Sequence, residues 1–229
     1  MTTDRITCDR ISVAATRGRA HHPDILVDVS AIFTGGEVAL ITGNTGAGKT
    51  TLLRVLACLQ RPSAGQVLFG NDPVSRWTPA YRDRWRRRVG FVFQTGLFLE
   101  DLNTIENVLV PLVPRQMPAT EMTLRCHEML ALTDLTAMAR IPVNRLSTGE
   151  RQRVSIARAL ASAPAVILAD EPTAHQDDCQ AERIMALLAE NARARQAVVV
   201  MTAHDPRVAQ HPAVTTAYRL DSGRLERQP

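Results

Sequence analysis

The chain has 229 residues, of which 45 % are hydrophobic and 22 % are charged, and it contains 13 prolines and 12 glycines. These values are ordinary for a protein with its own hydrophobic core, and they exclude a collagen-like, low-complexity or broadly disordered chain. The formal net charge of +4 permits anionic partners without requiring nucleic acid.

Membrane spans and export signals are not indicated. No apolar run approaches the length of about 18 residues that a membrane span needs, and the N-terminal segment MTTDRITCDR lacks the apolar core of a signal peptide. We therefore expect a cytosolic protein. The four cysteines show no CxxC spacing, so we expect reduced thiols and neither a zinc site nor a disulfide framework.

Three segments at the start of the chain have strand patterns. Residues 6–13 and 24–33 alternate loosely between apolar and polar residues, which predicts two edge strands separated by a turn-rich stretch at 17–23. Residues 37–42 form a short apolar run with β-branched members, directly after a Gly-Gly turn signal. This run predicts a buried strand.

A phosphate-binding pattern follows that strand. Residues 43–50 read GNTGAGKT, the full GxxxxGK[ST] pattern, and the helix-like TLLRVLACL comes next. Amides of such a loop surround a polyphosphate, the lysine reaches the β- and γ-phosphates, and the Thr50 hydroxyl can ligate Mg²⁺. Lys49 is the only lysine among 27 basic residues, and a compact ammonium enters such a loop where a guanidinium fits poorly. The predicted nucleotide-binding residues are Gly43, Asn44, Thr45, Gly46, Ala47, Gly48, Lys49, Thr50 and Thr51.

Residues 82–88, RDRWRRR, form the one basic cluster of the sequence, with Trp77, Tyr81 and Trp85 nearby. A solvated helix face leading into a strand at 89–93 is the favoured interpretation. The alternatives are contact with nucleic acid, with membrane headgroups or with a permease loop. Further on, residues 104–113 and 121–133 have helical spacing and are separated by prolines.

A second motif for phosphate chemistry lies at 165–171. The apolar run AVILA predicts a strand buried on both faces, and it ends in Asp170-Glu171. Ligands collect at the carboxyl ends of such strands, where an aspartate can hold Mg²⁺ through water and a glutamate can orient or deprotonate an attacking water. We expect Pro172 to bias Glu171 toward extended backbone.

The remaining motifs identify a family resemblance. Residues 146–150 read LSTGE and continue as RQRVSIARAL, VGFVFQ ends at Gln94, VILADEPT contains Asp170, AHQD occupies 174–177, and VVVMTAHD contains His204. In this order and over essentially the whole chain, the sequence resembles the ATP-binding subunits of ABC transporters. Within that family it is most similar to the macrolide-export and lipoprotein-release type.

The resemblance implies an α/β fold, with a RecA-like P-loop ATPase core, an N-terminal antiparallel β subdomain and an inserted α-helical subdomain. The whole of residues 1–229 is then a single ABC ATPase domain, with the helical subdomain at approximately 95–160. Residues 146–150 place Ser147 and Gly149 at a helix start, which is an anion site.

The resemblance also assigns roles to individual residues. Glu171, His204 and Gln94 are expected to be catalytic, and Thr50, Gln94 and Asp170 are expected to hold Mg²⁺. Ser147, Gly149 and Glu150 are expected to meet ATP bound by a second copy in a head-to-tail dimer with two ATP molecules at its interface. The dimer would serve an integral membrane permease at the cytoplasmic face of the inner membrane, and no nucleic acid is expected.

Three positions depart from the family pattern. No Tyr, Phe or Trp precedes Phe33, so Ala14 or Ala15 stands where an aromatic residue usually stacks on adenine. Arg17, His21 or His22 could substitute. AHQD replaces the usual small-small-Leu-Asp pattern. Thr148 replaces the usual glycine of the signature, and because a β-branched residue beside the γ-phosphate restricts the backbone, this half of the ATP site is expected to close slowly.

Other functions remain open at this point. A soluble or regulatory ABC ATPase, acting in DNA repair, translation, cell division or control of cell-wall hydrolysis, would share these motifs. A DNA-repair or translation protein usually carries two cassettes or long insertions, which this chain lacks. A P-loop kinase is disfavoured by the signature, and release of free phosphate without an acceptor would exclude it.

Overall fold

The computed structural model describes residues 4–15, 24–75 and 78–229. The strands of this part of the chain are β1 (Arg5–Val13), β2 (Leu26–Thr34), β3 (Val38–Thr42), β4 (Ala64–Phe69), β5 (Val89–Val92), β6 (Val166–Asp170), β7 (Val198–Thr202), β8 (Thr216–Asp221) and β9 (Arg224–Arg227). The helices are α1 (Lys49–Leu56), α2 (Pro79–Arg86), α3 (Thr104–Leu109), α4 (Ala119–Leu132), α5 (Thr148–Ala161), α6 (Asp178–Arg195) and α7 (Pro206–Ala209).

The central sheet has six strands in the order β5-β6-β7-β3-β8-β9, parallel except for the final pair. Strands β6 and β7 are buried along their whole length, because helices cover both faces and their sequences are almost entirely aliphatic. The register pairs Asp170 with Thr202, and Ile41 with Thr202 on the other side. The carboxyl ends of β3, β6 and β7 therefore meet at one edge of the sheet.

The N-terminal sheet has three antiparallel strands in the order β2-β1-β4. The prediction of two N-terminal strands is confirmed, but β1 is the central strand and not an edge, so that part of the prediction was wrong. Strand β4 was not predicted, and it follows a Pro-Ser pair and contains Gly65, residue types that are common in turns. Gly65 has a φ of 78° and packs directly against the carbonyl of Arg10.

Helices α3, α4 and α5 enclose a hydrophobic cluster of their own, which includes Val108, Leu112, Cys126, Leu130, Val154 and Ala157. The two helices predicted here are confirmed, although α3 ends at Leu109 and a 3-10 helix follows at Val110–Arg115, since Pro111 and Pro114 lack the amide hydrogen. Helix α5 also packs Ile156 and Leu160 against the central sheet. This separate cluster supports the predicted helical subdomain, whose boundaries stay a prediction.

The basic cluster lies on α2 and the turn after it. Trp85 is buried and its indole N–H donates to the carbonyl of Leu56 at 3.1 Å, while Arg84 and Arg86 are exposed. The favoured interpretation of a solvated helix face is thus consistent with the structure. Trp77 lies outside the described residues. Within the residues that the structure describes, no helix is both long and apolar enough to cross a membrane.

The cysteines are all free thiols. Burial raises the pKa of Cys8 to about 12 and those of Cys58 and Cys126 to about 11. We refer to these three as the buried thiols. Cys179, at the start of α6, is exposed.

Candidate functional site

The loop between β3 and α1 holds Lys49 in a buried position. Its Nζ donates to the carbonyl of Gly43 at 2.7 Å and to that of Asn44 at 3.1 Å, and the residue is only 6 % exposed. Burial lowers the pKa of Lys49, while the negative charges of Glu171 and Asp170 act in the opposite direction. The ammonium is therefore held inside the loop by groups that phosphate oxygens can replace.

The first turn of α1 is built to accept an anion. Gly48 precedes this helix with a φ of 103°, and no side chain caps the helix in the described part of the chain. A Cβ on Gly48 would lie 2.9 Å from the carbonyl of Ile25, so the left-handed backbone and the close approach both require glycine. Uncapped helix amides and the positive end of the helix dipole attract phosphate. The loop thus fits the polyphosphate of a nucleotide.

Asp170 is buried at the end of β6, beside that helix. Its Oδ2 accepts from the hydroxyl of Thr50 at 2.6 Å, and its Oδ1 accepts from the hydroxyl of Thr202 at 2.7 Å. Hydroxyl and carboxylate oxygens are hard donors of the kind that Mg²⁺ prefers. Among the described residues, no three His, Cys, Asp or Glu side chains are grouped to hold a metal alone.

Glu171, His204 and Gln94 come together at the same edge of the sheet. Nε2 of His204 lies 2.5 Å from Oε1 of Glu171, and the Gln94 amide donates to Oε2 of Glu171 at 3.2 Å. The Glu171 side chain is 14 % exposed and that of His204 is 40 % exposed. The Glu171 carboxylate is thus mostly buried but still reachable by water, and it has a partner on each oxygen, which is suitable for a general base that orients water. The structure thus brings together the three residues that are expected to be catalytic, and their catalytic roles stay predictions.

The backbone of Glu171 differs from the prediction. We expected Pro172 to make it extended, but its φ is 52°, in the left-handed region, so the expectation was wrong. Two hydrogen bonds from other elements hold this residue. Its amide donates to the Thr202 hydroxyl at 3.0 Å, and its carbonyl accepts from the Gln152 side chain at 3.5 Å. Tertiary hydrogen bonds here outweigh the local preference.

Ser147 begins α5 as predicted, with a complete capping box. Its hydroxyl accepts from the amide of Glu150 at 3.3 Å and donates to Oε2 of Glu150 at 2.7 Å, and the Ser147 amide also donates to this oxygen, at 2.8 Å. The hydrogen bonds from the side chain and the backbone of Ser147 lower the pKa of Glu150. Ser147 is exposed. The helix N-terminus therefore faces outward, where a second molecule can reach it.

Residues 174–177 contact the start of α5. The Gln176 side chain donates to the carbonyl of Gly149 at 3.0 Å and accepts from Arg153 at 3.3 Å. A Cβ on Gly149 would lie 2.9 Å from the carbonyl of His175. Thr148 is the first residue of α5 and is exposed. The close approach therefore requires glycine at 149 and not at 148.

Three residues of the site were missed from the sequence: Thr202, Gln152 and Gln176. A signal existed for Thr202, since it is the one hydroxyl in the aliphatic strand VVVMT. The contacts of Gln152 and Gln176 depend on how α5 packs against the loop after β6, and the sequence carried no signal for them.

A cavity of about 480 Å³ adjoins the phosphate loop. It is lined by Ala15, Asp24, Ile25, Ser222 and the loop residues Gly46 and Ala47 among others. Ala15, one of the two positions where the family resemblance implies an aromatic residue against adenine, thus lies beside the nucleotide loop. The proposed substitutes Arg17, His21 and His22 lie outside the described residues.

A phosphate loop on β3, a buried aspartate on β6 and a glutamate beside it define a P-loop nucleoside triphosphatase with a RecA-like α/β core. Comparison with known proteins narrows this class. The sequence model described as ABC transporter matches residues 26–174, and the chain belongs to this family. The predicted family and fold class are confirmed, and the chain is an ATP-binding cassette that hydrolyses ATP.

Individual proteins of known sequence or structure are similar to this chain over most of its length. The chain is 39 % identical over 191 residues to the lipoprotein-releasing system ATP-binding protein LolD of Chromohalobacter salexigens, covering 83 % of this chain and 80 % of the relative. It superposes on the dimeric ADP- and phosphate-bound ATP-binding cassette MJ0796 with a TM-score of 0.91 and 32 % identity, covering 98 % and 97 % of the two chains. For CbiO1 of Clostridium perfringens, part of the transporter complex CbiONQ, the TM-score is 0.81 and the identity 26 %, over 96 % and 86 % of the chains.

Proposed function

We propose that this cassette powers a separate membrane permease of the lipoprotein-release or macrolide-export type. The identity to a lipoprotein-releasing ATP-binding protein supports this subfamily. The convergence of the Lys49 loop, Asp170 and Glu171 on one sheet edge carries the proposed chemistry. The comparisons reported above do not favour a soluble or regulatory role without transport.

The proposed roles follow from the positions of the side chains. Lys49 and the amides of α1 bind the β- and γ-phosphates of ATP. Glu171 orients the attacking water and accepts its proton, while His204 donates a hydrogen bond to the transferring phosphoryl group. Gln94 holds the carboxylate of Glu171 from the other side. Mg²⁺, bound through Thr50, Asp170 and Gln94, would supply charge neutralisation for the phosphates.

We further propose that two copies form a head-to-tail dimer around two ATP molecules. The exposed N-terminus of α5 presents the Ser147 hydroxyl and backbone amides as an anion site that its own chain leaves accessible. The dimeric state of the superposed MJ0796 cassettes supports this arrangement. ATP held by one copy would then meet Ser147, Gly149 and Glu150 of the other.

The permease is proposed to contact the loop after Gln94. The ring centroid of Phe98 in this loop lies 5.2 Å from the guanidinium carbon of Arg151 and 5.2 Å from that of Arg158, both on α5. These contacts hold the loop against that helix. The neighbouring Leu97 and Leu99 remain 63 % and 53 % exposed. Apolar side chains held outward on an anchored loop are suited to packing against a permease segment. The cassette would thereby be peripheral to the cytoplasmic face of the inner membrane.

Glu171→Gln tests the proposed chemistry. The variant should bind ATP with unchanged affinity but hydrolyse it at least about a hundredfold more slowly, because the general base is lost. Glu182→Gln is a matched control, since Glu182 also pairs with a histidine, His211, at 2.8 Å. The control should keep its turnover. A Glu171→Gln variant that retains most of its turnover would remove this residue from the mechanism.

Two further assays separate the alternatives. Production of ADP and free phosphate without an acceptor would exclude a kinase. Pull-down of the cassette from detergent-solubilised membranes should recover an integral membrane permease. Recovery of a soluble partner in place of a permease would favour the regulatory alternative.

A further inference from the structure

Thr202 ends β7 with a fully buried hydroxyl that contacts both acidic residues of the site. The hydroxyl donates to Oδ1 of Asp170 at 2.7 Å and accepts from the amide of Glu171 at 3.0 Å. The strand register places Thr202 directly beside Asp170. One oxygen atom therefore holds the side chain of one acid and the backbone of the next.

Glu171 needs this support because of its backbone. With a φ of 52°, it occupies the left-handed region, which is uncommon for glutamate and costs free energy that the surroundings must offset. The hydrogen bond to Thr202 fixes its amide, and the longer contact with Gln152 reaches its carbonyl. From this backbone, the Glu171 carboxylate reaches Nε2 of His204, which lies 2.5 Å from its Oε1.

We propose that Thr202 is a positioning residue for ATP hydrolysis. Its hydroxyl holds the left-handed backbone of Glu171 and thereby aims the carboxylate at the attacking water. Thr202 touches Asp170 and Glu171 and acts on the reaction only through them. The inference rests on the proposed role of Glu171 as the base.

Thr202→Val is the direct test, because valine keeps the shape of threonine and removes the hydroxyl. At saturating Mg²⁺, we expect kcat to fall at least about tenfold, while the KM for ATP changes less than about twofold because the Lys49 loop is untouched. Thr202→Ser restores both hydrogen bonds and should return kcat to within about threefold of the wild type. Thr202→Ala is a second variant without the hydroxyl, to be used if the valine variant does not fold.

Thr104→Val is the matched control for loss of stability. Thr104 is also fully buried, and its hydroxyl donates to the carbonyl of Ile141 at 2.9 Å in the helical region. This variant should melt at a lower temperature and keep its kcat.

Three results would overturn the inference: a kcat of Thr202→Val within twofold of the wild type, a serine variant as slow as the valine variant, or an equal loss of kcat in Thr104→Val. Measuring Glu171→Gln in parallel separates the two proposals. If that variant is slow and Thr202→Val is normal, only the role of Thr202 fails. If Glu171→Gln keeps its turnover, the role of Glu171 fails as well.

Discussion

Ser147→Ala distinguishes the structural role of the α5 capping box from its proposed role at the partner's ATP. Removing the hydroxyl deletes the hydrogen bond that caps the Glu150 amide, but the hydrogen bond from the Ser147 backbone amide to the Glu150 carboxylate remains. Loss of an N-cap costs about 1 kcal/mol. For a chain of this length, that lowers the melting temperature by about 2–4 °C.

The functional effect should be larger. A hydrogen bond from the Ser147 hydroxyl to a charged phosphate contributes about 1.5–3 kcal/mol. Since about 1.4 kcal/mol corresponds to a factor of ten in rate, turnover should fall about 10- to 140-fold. The assay is steady-state ATP hydrolysis, with thermal denaturation of the same preparation.

The chain contains a matched control in its second capping box. Asn103 caps α3 with a hydrogen bond of 3.0 Å from the amide of Glu106, and the Glu106 carboxylate accepts from the Asn103 amide at 2.8 Å. Asn103→Ala should lower the melting temperature by a similar amount and leave turnover unchanged. Equal loss of turnover in both variants, or normal turnover in Ser147→Ala, would refute the role of Ser147 at the phosphate.

Three other predictions concern single groups. Hydrogen bonds from Ser147 lower the pKa of Glu150 in the folded protein, so the charge of Glu150 stabilises the fold above the ordinary pKa of 4.5, and this contribution disappears as the pH falls through the lower folded pKa. The difference in unfolding free energy between wild type and Glu150→Gln, measured by urea unfolding, should therefore shrink over that pH range, and a difference independent of pH would contradict this. In the native protein, only Cys179 should react rapidly with a thiol reagent, since burial and raised pKa values protect the three buried thiols; rapid modification of all four would be inconsistent with this. Gly149→Ala should lower turnover more than Thr148→Ala does, because the Cβ of an alanine at 149 would lie 2.9 Å from the carbonyl oxygen of His175. Equal turnover rates in the two variants would contradict this.

Local patterns were sufficient for the core of the fold. The aliphatic runs VALIT and VILAD form buried parallel strands, and the loop GNTGAGKT follows the first of them as predicted. Because parallel strands end at a common edge, the two strand-end motifs that carry Glu171 and His204 are compatible with one shared site. These inferences needed only hydrophobic patterning and motif order.

Features that depend on packing between distant segments could not be predicted. The left-handed backbone of Glu171 contradicts the local preference before proline and is held by hydrogen bonds with Thr202 and Gln152. The glycine requirement at 149 depends on the path of the loop at His175. In each case the deciding atoms come from elements more than 15 residues apart in the chain.

We propose that ATP joins two copies of this chain through Ser147 of one and the Lys49 loop of the other. Light scattering on Glu171→Gln, with and without Mg²⁺ and ATP, tests it most directly. We expect the mass to double from 25.2 kDa only when ATP is present. In Glu171→Gln with an added Ser147→Arg change, the protein should still bind ATP but keep the mass of one copy. A doubling that persists with Ser147→Arg would contradict the account, as would a mass that never doubles.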